Sequence, residues 1–248
     1  MSKTNLILSI LVFVVSSCGQ RSNQQANTAG DEVVFLVEAD SLNSAEIDLT
    51  TTFDFKVLEL DFGFKVTAKL MEDFGHLKTY SNVRLERNNT IIYFDDSLNE
   101  YEFCNHLFPI VLQTGDDSFE LLFEMNGRPF RNYLKRLFIS NNEVVGQDRL
   151  PVFEGKPIDI NNDGIKVFAG FWDDFEIWGE NNNLTSYIPI LYFSVTETGL
   201  KLDSALTKKR NEMIYGRFYG FSNSVEYKIP ASVIEKFEQE LRLIRGER

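Results

Sequence analysis

Residues 53–66 read FDFKVLELDFGFKV. Phe53, Phe55 and Val57 recur at every second position, the period of a strand with one buried face. The phase slips at Leu58, after which Leu60, Phe62, Phe64 and Val66 alternate. A slip of one residue sends the apolar set to the other face unless the backbone bulges or bends, so a bulge or bend is expected there.

The same period recurs along the chain. NVRLERNNTIIYF (82–94) reads as strand, Asn88-Asn89 turn, strand. SFELLFEMNGRPF (118–130) offers Asn126-Gly127, a two-residue hairpin signal that needs positive φ at both positions. YLKRLFISNNEVVG (133–146) repeats the pattern around Asn141-Asn142, and YIPILYFSVTETGLKL (187–202) around Thr198-Gly199. A last strand pair is expected in IYGRFYGFSNSVEYKI (214–229), turning at residues 222–224. Only the end reads as helix. Ile234, Phe237, Leu241 and Ile244 fall at spacings of three and four, and Ser232 with Glu235 matches a capping box. The expected fold is mainly β, with antiparallel sheets in a propeller-like or sandwich arrangement and a C-terminal helix, 231–245, packed on a sheet. GFKV at Gly63, SFEL at Ser118, GIKV at Gly164 and GLKL at Gly199 share a pattern without a fixed period, as recurrent turn-then-strand starts would.

The chain opens MSKTNLILSILVFVVSSCGQ. Lys3 precedes an apolar run from Leu6 to Val15, too short to span a bilayer but suited to a secretory leader. Val15-Ser16-Ser17-Cys18 resembles the lipobox of bacterial lipoproteins. The resemblance implies a signal peptide over 1–17, cleavage before Cys18, and lipid on its thiol and new amino group. Several acyl chains anchor far better than one. Gly19 follows the cysteine, so the family rule points to the outer membrane of the cell envelope. Residues 19–30 lack any large apolar side chain and read as a tether, with a β-rich domain over 33–248 that leaves a division near 105 open.

The formal charge of −12 opposes nucleic-acid binding and favours cationic partners. Cys104 is the one cysteine besides Cys18, so no internal disulfide framework exists. In YEFCNHLF it reads as a buried thiol, two residues before His106. His76 reads as an exposed turn residue. Two histidines exclude the usual two- or three-histidine zinc site, and no HExxH, GxSxG or Walker loop occurs.

Two stretches carry candidate chemistry. In PIDINNDGIKVF (157–168), Asp159, Asn161 and Asp163 occupy positions 1, 3 and 5 of a calcium loop. Gly164 sits at position 6 and the Ile165 carbonyl at position 7. Position 12 is Gly170, so the bidentate glutamate of an EF-hand is absent. The pattern resembles the calcium loops of FG-GAP and VCBS-type repeats, which join two strands of a propeller blade. Val167 stands where that family places a further acid. The resemblance implies weak Ca²⁺ binding, and the alternative is a strand connection alone, because Asx side chains close turns on their own backbone. Downstream, Trp172 and Trp178 interleave with Asp173, Asp174, Glu176 and Glu180. Rings beside carboxylates suit a glycan-binding platform, and Asp173 with Glu176 would suit glycosidase acid/base work. A core strand with a polar outer face reads the same way, because a regular strand points both tryptophans to one side. The chain is thus expected to be an envelope-anchored, non-enzymatic binding or structural module. The alternatives are a carbohydrate-binding or carbohydrate-active surface protein, and an inhibitor or immunity lipoprotein for a basic partner.

Overall fold

The computed structural model describes residues 54–103 and 107–247. The expected lipidation site Cys18, the tether, the domain start at Val33, and Cys104 with His106 lie outside the described residues. The described residues belong to one compact unit, Thr50–Arg248.

The chain forms β1 (Phe55–Glu59), β2 (Phe64–Asp73), β3 (Lys78–Arg87), β4 (Thr90–Asp95) and β5 (Tyr101–Glu102). There follow β6 (Ile110–Gly115), β7 (Ser118–Met125), β8 (Tyr133–Ser140) and β9 (Glu143–Pro151). These make one nine-stranded antiparallel sheet, so strands from both sides of position 105 share it. Then come β10 (Val167–Gly170), β11 (Ile177–Trp178), β12 (Leu184–Tyr187), β13 (Leu191–Thr196), β14 (Gly199–Leu202), α1 (Ser204–Tyr215), β15 (Ser224–Pro230) and α2 (Val233–Arg245). They supply two three-stranded sheets, β10-β13-β14 and β11-β12-β15. The fold is mainly β with antiparallel sheets, as the alternation implies.

The bulge or bend expected at Leu58 does not form: β1 pairs with β2 in unbroken register from Phe55 to Glu59, and the phase slip is met by turning Phe55 and Val57 outward. β1 and β2 form a hairpin, with Leu58 opposite Val66 and a 3₁₀ turn over Asp61–Gly63 between them. Leu58, Phe64 and Val66 share the inner face, whereas Phe55 and Val57 point outward and stay exposed. Short β5 lets the large sheet fold over. It joins β3 to β7 through two residues, while β4 and β6 diverge from the same strands. The enclosed face holds Phe64, Val66, Val83, Leu85, Tyr101, Phe119, Leu121, Phe123 and Leu137.

Alternation explains the remaining layers. Odd positions of β7 and β8 face that core, and even ones, Leu122 and Leu134, face a second core with Phe153, Phe168, Phe193 and Leu200. The other face of β10 and β13, with Val167, Ala169 and Tyr192, packs on Leu206 and Ile214 of α1 and on Phe237, Leu241 and Ile244 of α2. The C-terminal helix therefore packs on a sheet. β7 and β10 are buried almost throughout, because each lies between two cores.

Three more local expectations need correction. Asn126-Gly127 is not a two-residue turn: Met125 pairs with Tyr133, and Gly127 is not at positive φ. The Asn126 Oδ1 accepts from the Arg128 amide at 2.9 Å, and Asn132 Oδ1 accepts from Gly127 N at 3.1 Å, so asparagines close a longer loop. The strand expected before residue 222 is instead the end of α1 and a loop. α1 was hidden because half of its buried positions are polar, Thr207 and Asn211 beside Leu206 and Ile214. Asn211 donates to the Ile190 carbonyl at 2.8 Å and accepts from Ile190 N at 3.0 Å, so the helix docks through hydrogen bonds where the pattern looks for an apolar stripe. Finally, Ser232 has helical φ/ψ and makes no capping bond, so the capping box does not form; Val233 takes the buried place ahead of Ile234. The asparagine turns match expectation, with Asn88, Asn89, Asn141 and Asn142 all at positive φ. The four repeat matches precede or begin strands β2, β7, β10 and β14.

Candidate functional site

The 157–168 stretch forms a strand connection. Ile158 and Val167 exchange backbone hydrogen bonds at 3.0 and 2.8 Å, closing a loop between them. Inside it, Asp159 accepts from Asp163 N at 3.1 Å and Gly164 N at 2.9 Å. Asp163 Oδ1 accepts from Ile165 N at 2.8 Å, and Asp163 Oδ2 from the Asn161 amide at 2.8 Å. Gly164 and Asn162 adopt positive φ, which glycine and asparagine tolerate best. The carboxylates thus tie the turn together. No group of three or more His, Cys, Asp or Glu placed to hold a metal occurs among the described residues.

The two tryptophans do not share one strand. β10 ends at Gly170, β11 begins at Ile177, and the backbone between them is irregular. Trp172 packs against the Phe153 and Phe168 core, whereas Trp178 lies opposite Leu184 in another sheet. The parity argument that put both rings on one side fails because it needs an unbroken strand.

The acids between them reach a different place. Asp173, Asp174 and Glu176 line a groove of about 340 Å³ together with Ser186, Asn223, Ser224 and Glu226. Arg131 pairs with Asp174 at 3.2 Å, whereas Glu176 and Glu226 make no ion pair among the described residues. The Asn223 Oδ1 is buried without a hydrogen-bond partner. The groove is therefore acidic and open to solvent, with one buried acceptor left without a partner. Glu226 and Asn223 were beyond sequence reasoning, because they arrive on β15 and its approach from about fifty residues away.

A larger groove, about 440 Å³, lies between Leu107, Phe153, Ile158 and Ile244. Its one acid, Glu154, is held between Arg131 at 2.6 Å and Arg245. Arg131 also lies 3.9 Å over the Phe171 ring. The carboxylate of this groove is therefore already engaged by two arginines.

Three charged clusters lie deeper. Arg136 pairs with Glu120 and Asp148 and donates to the Leu200 carbonyl at 3.1 Å, while Glu120 accepts from Leu200 N at 3.1 Å. These bonds join β7 and β8 to β14. Gly199 has φ +98, and a Cβ there would run into the Glu120 carboxylate. Arg210, Glu240 and Tyr192 join the helices to β13. In the enclosed core, Lys135 donates to Tyr93 at 2.5 Å, Asp95 at 2.8 Å and Tyr101 at 3.2 Å. Burial works against the Asp95 carboxylate, but hydrogen bonds from Lys135, Ser97, Tyr101 and Asn99 outweigh it and hold its pKa far below the usual range. Burial likewise opposes the Lys135 charge, and its bonds to Asp95 and Tyr93 raise its pKa all the same. All three ammonium donors have acceptors, which marks a fastening and leaves no nucleophile. His76 is exposed in the turn between β2 and β3. Besides Asn223 Oδ1, the buried side-chain atoms without partners among the described residues are Thr79 Oγ1, Glu124 Oε2, Asn126 Nδ2 and Arg131 Nε.

No protein-family model matches the chain, and neither a curated protein nor a solved structure matches it.

Proposed function

We propose that the chain is a lipid-anchored, non-enzymatic binding module of the bacterial envelope. It takes a cationic, donor-bearing ligand, such as a basic segment of another protein, in the groove lined by Asp173, Asp174, Glu176 and Glu226. The carrying observation is that groove's acidic lining: two carboxylates without an ion pair among the described residues and the buried Asn223 Oδ1. A charge of −12 would steer such a partner toward it. The anchor rests on Val15-Ser16-Ser17-Cys18, and Ca²⁺ in the 159–165 loop remains a minor, structural role in this reading.

Two experiments test it. Cys18→Ala should abolish palmitate labelling and membrane fractionation; retained labelling would remove the anchor. Calorimetry of the full chain with a lysine-rich peptide should show salt-sensitive binding. The Asp173→Asn, Glu176→Gln, Glu226→Gln variant should weaken it at least about tenfold, roughly 1.4 kcal/mol. Unchanged affinity in that variant would overturn the assignment of the groove. The carbohydrate reading loses its two-ring platform to the geometry of Trp172 and Trp178 and is not taken further.

A further inference from the structure

Three residues stand in one row across three strands. Thr79 of β3 faces Glu102 of β5, and Glu102 faces Glu124 of β7. Residues directly opposite in an antiparallel pair share a face, with Cβ atoms about 5 Å apart. Their strand neighbours Tyr80, Tyr101 and Met125 point into the enclosed core, so this row lies on the other face. All three are buried, at 0, 8 and 7% exposure.

Two carboxylates in that position demand an explanation. Like charges directly opposite destabilise a sheet, and burial raises the cost of each charge. The Asn132 amide donates to Glu124 Oε1 at 3.0 Å and also bears on Glu102. Glu124 Oε2 and Thr79 Oγ1 have no hydrogen-bond partner among the described residues. The positive charge that Glu102 feels is that of Arg128, which already bridges Glu72 and Glu100 at 3.0 and 3.1 Å. Three carboxylates therefore share one guanidinium, and Glu124 makes no ion pair among the described residues. Burial pushes the Glu102 carboxyl above its ordinary range, and the Glu124 charge adds to the rise. Carboxylate and hydroxyl oxygens, with no nitrogen or sulfur among them, are the donor set of a hard cation.

We propose that Glu102, Glu124 and Thr79 form a binding site for one hard divalent cation of the calcium class, with water completing its coordination. The ion supplies the charge the row lacks and occupies the orphaned oxygens. The site is separate from the 159–165 loop, whose carboxylates are engaged by backbone N–H groups. With only two carboxylates, affinity falls in the range of extracellular modules, a Kd of about 10⁻⁴–10⁻³ M.

The test uses the full chain, stripped with EDTA, and calcium chloride as the probe. Thermal unfolding is followed as Ca²⁺ rises to about 10 mM, well above that Kd, where a ligand that binds only the native state must stabilise it. The melting temperature should rise for the wild type and for the Asp159→Asn, Asp163→Asn double variant. It should stay fixed for Glu102→Gln and for Glu124→Gln, while Thr79→Val should bind roughly tenfold more weakly. Gln keeps the shape of Glu, and circular dichroism checks that each variant folds. No calcium-dependent rise in the wild type, or a rise that survives both Gln variants, overturns the site. A rise lost only in the Asp159/Asp163 variant returns the calcium to the loop and overturns it equally. A wild type that ignores calcium but whose melting point responds to pH only while both glutamates are present shows a shared proton in place of the ion.

Discussion

Two buried clusters on opposite faces of the folded sheet handle charge in opposite ways. On the enclosed face, Asp95 accepts from Lys135, Tyr93, Tyr101, Ser97 and Asn99, and every donor of Lys135 is used. On the other face, only a few residues away along β5 and β7, Glu102 and Glu124 oppose each other with one amide between them and a free oxygen beside them. Both arrangements bury carboxylates in the same sheet. The first is closed by the chain itself, and the second is closed only if something else arrives. The difference separates charge that fastens a fold from charge that is kept for a ligand.

The sharpest way to break the comparison is to open the closed cluster. Lys135→Met leaves Asp95 buried without its cation, and losing one member of a buried pair costs about 3–5 kcal/mol. Denaturant unfolding at pH 7 should show that loss, and Lys135→Met with Asp95→Leu should recover most of it. The closed cluster also sets an acid limit. Asp95 has a depressed folded pKa, so its contribution is present above the unfolded value of about 3.9 and fades as pH falls below it. Lys135→Met should flatten that acid arm. Equal stability of the single variant and wild type would mean that the cluster fastens nothing.

How much of this could be read in the chain follows from the same contrast. Alternation in β2, β7 and β8 and the asparagine turns at 88–89 and 141–142 depend on local geometry, so they were legible. The phase slip at Leu58 was misread as a bend, because the strand runs on in register and leaves Phe55 and Val57 on the solvent face instead. α1 was not legible, because Thr207 and Asn211 dock by hydrogen bonds that a hydropathy pattern scores as polar surface. The 126–132 loop was misread because the Asn126 and Asn132 side chains stabilise a longer turn than Asn-Gly alone implies. At the candidate sites, the 159–165 loop was visible since its residues are contiguous. The acidic groove was half visible, through Asp173 and Glu176. The Thr79, Glu102 and Glu124 row was invisible, because register brings together residues 22 or more positions apart. YEF, where Glu102 sits between two aromatics, gives no sign that its neighbour across the sheet is a second glutamate.

The finest test works on the open pair alone. Glu102 has a raised folded pKa, so the native state holds its proton more tightly than the unfolded chain does. Its linkage therefore runs opposite to that of Asp95: stability is full below the unfolded value of about 4.3 and is lost as pH rises through the folded one. Glu102→Gln cannot ionise and escapes that loss. In EDTA the variant should match wild type near pH 4 and exceed it at pH 7 by about 1 kcal/mol, the size of a like-charge opposition across strands. Denaturation curves at the two pH values measure the difference. Calcium should then shrink or reverse it, since only the wild type has two carboxylates for the ion. A variant less stable than wild type at both pH values would show that the Asn132 hydrogen bond outweighs the repulsion, and would place Glu102 and Glu124 with the closed clusters.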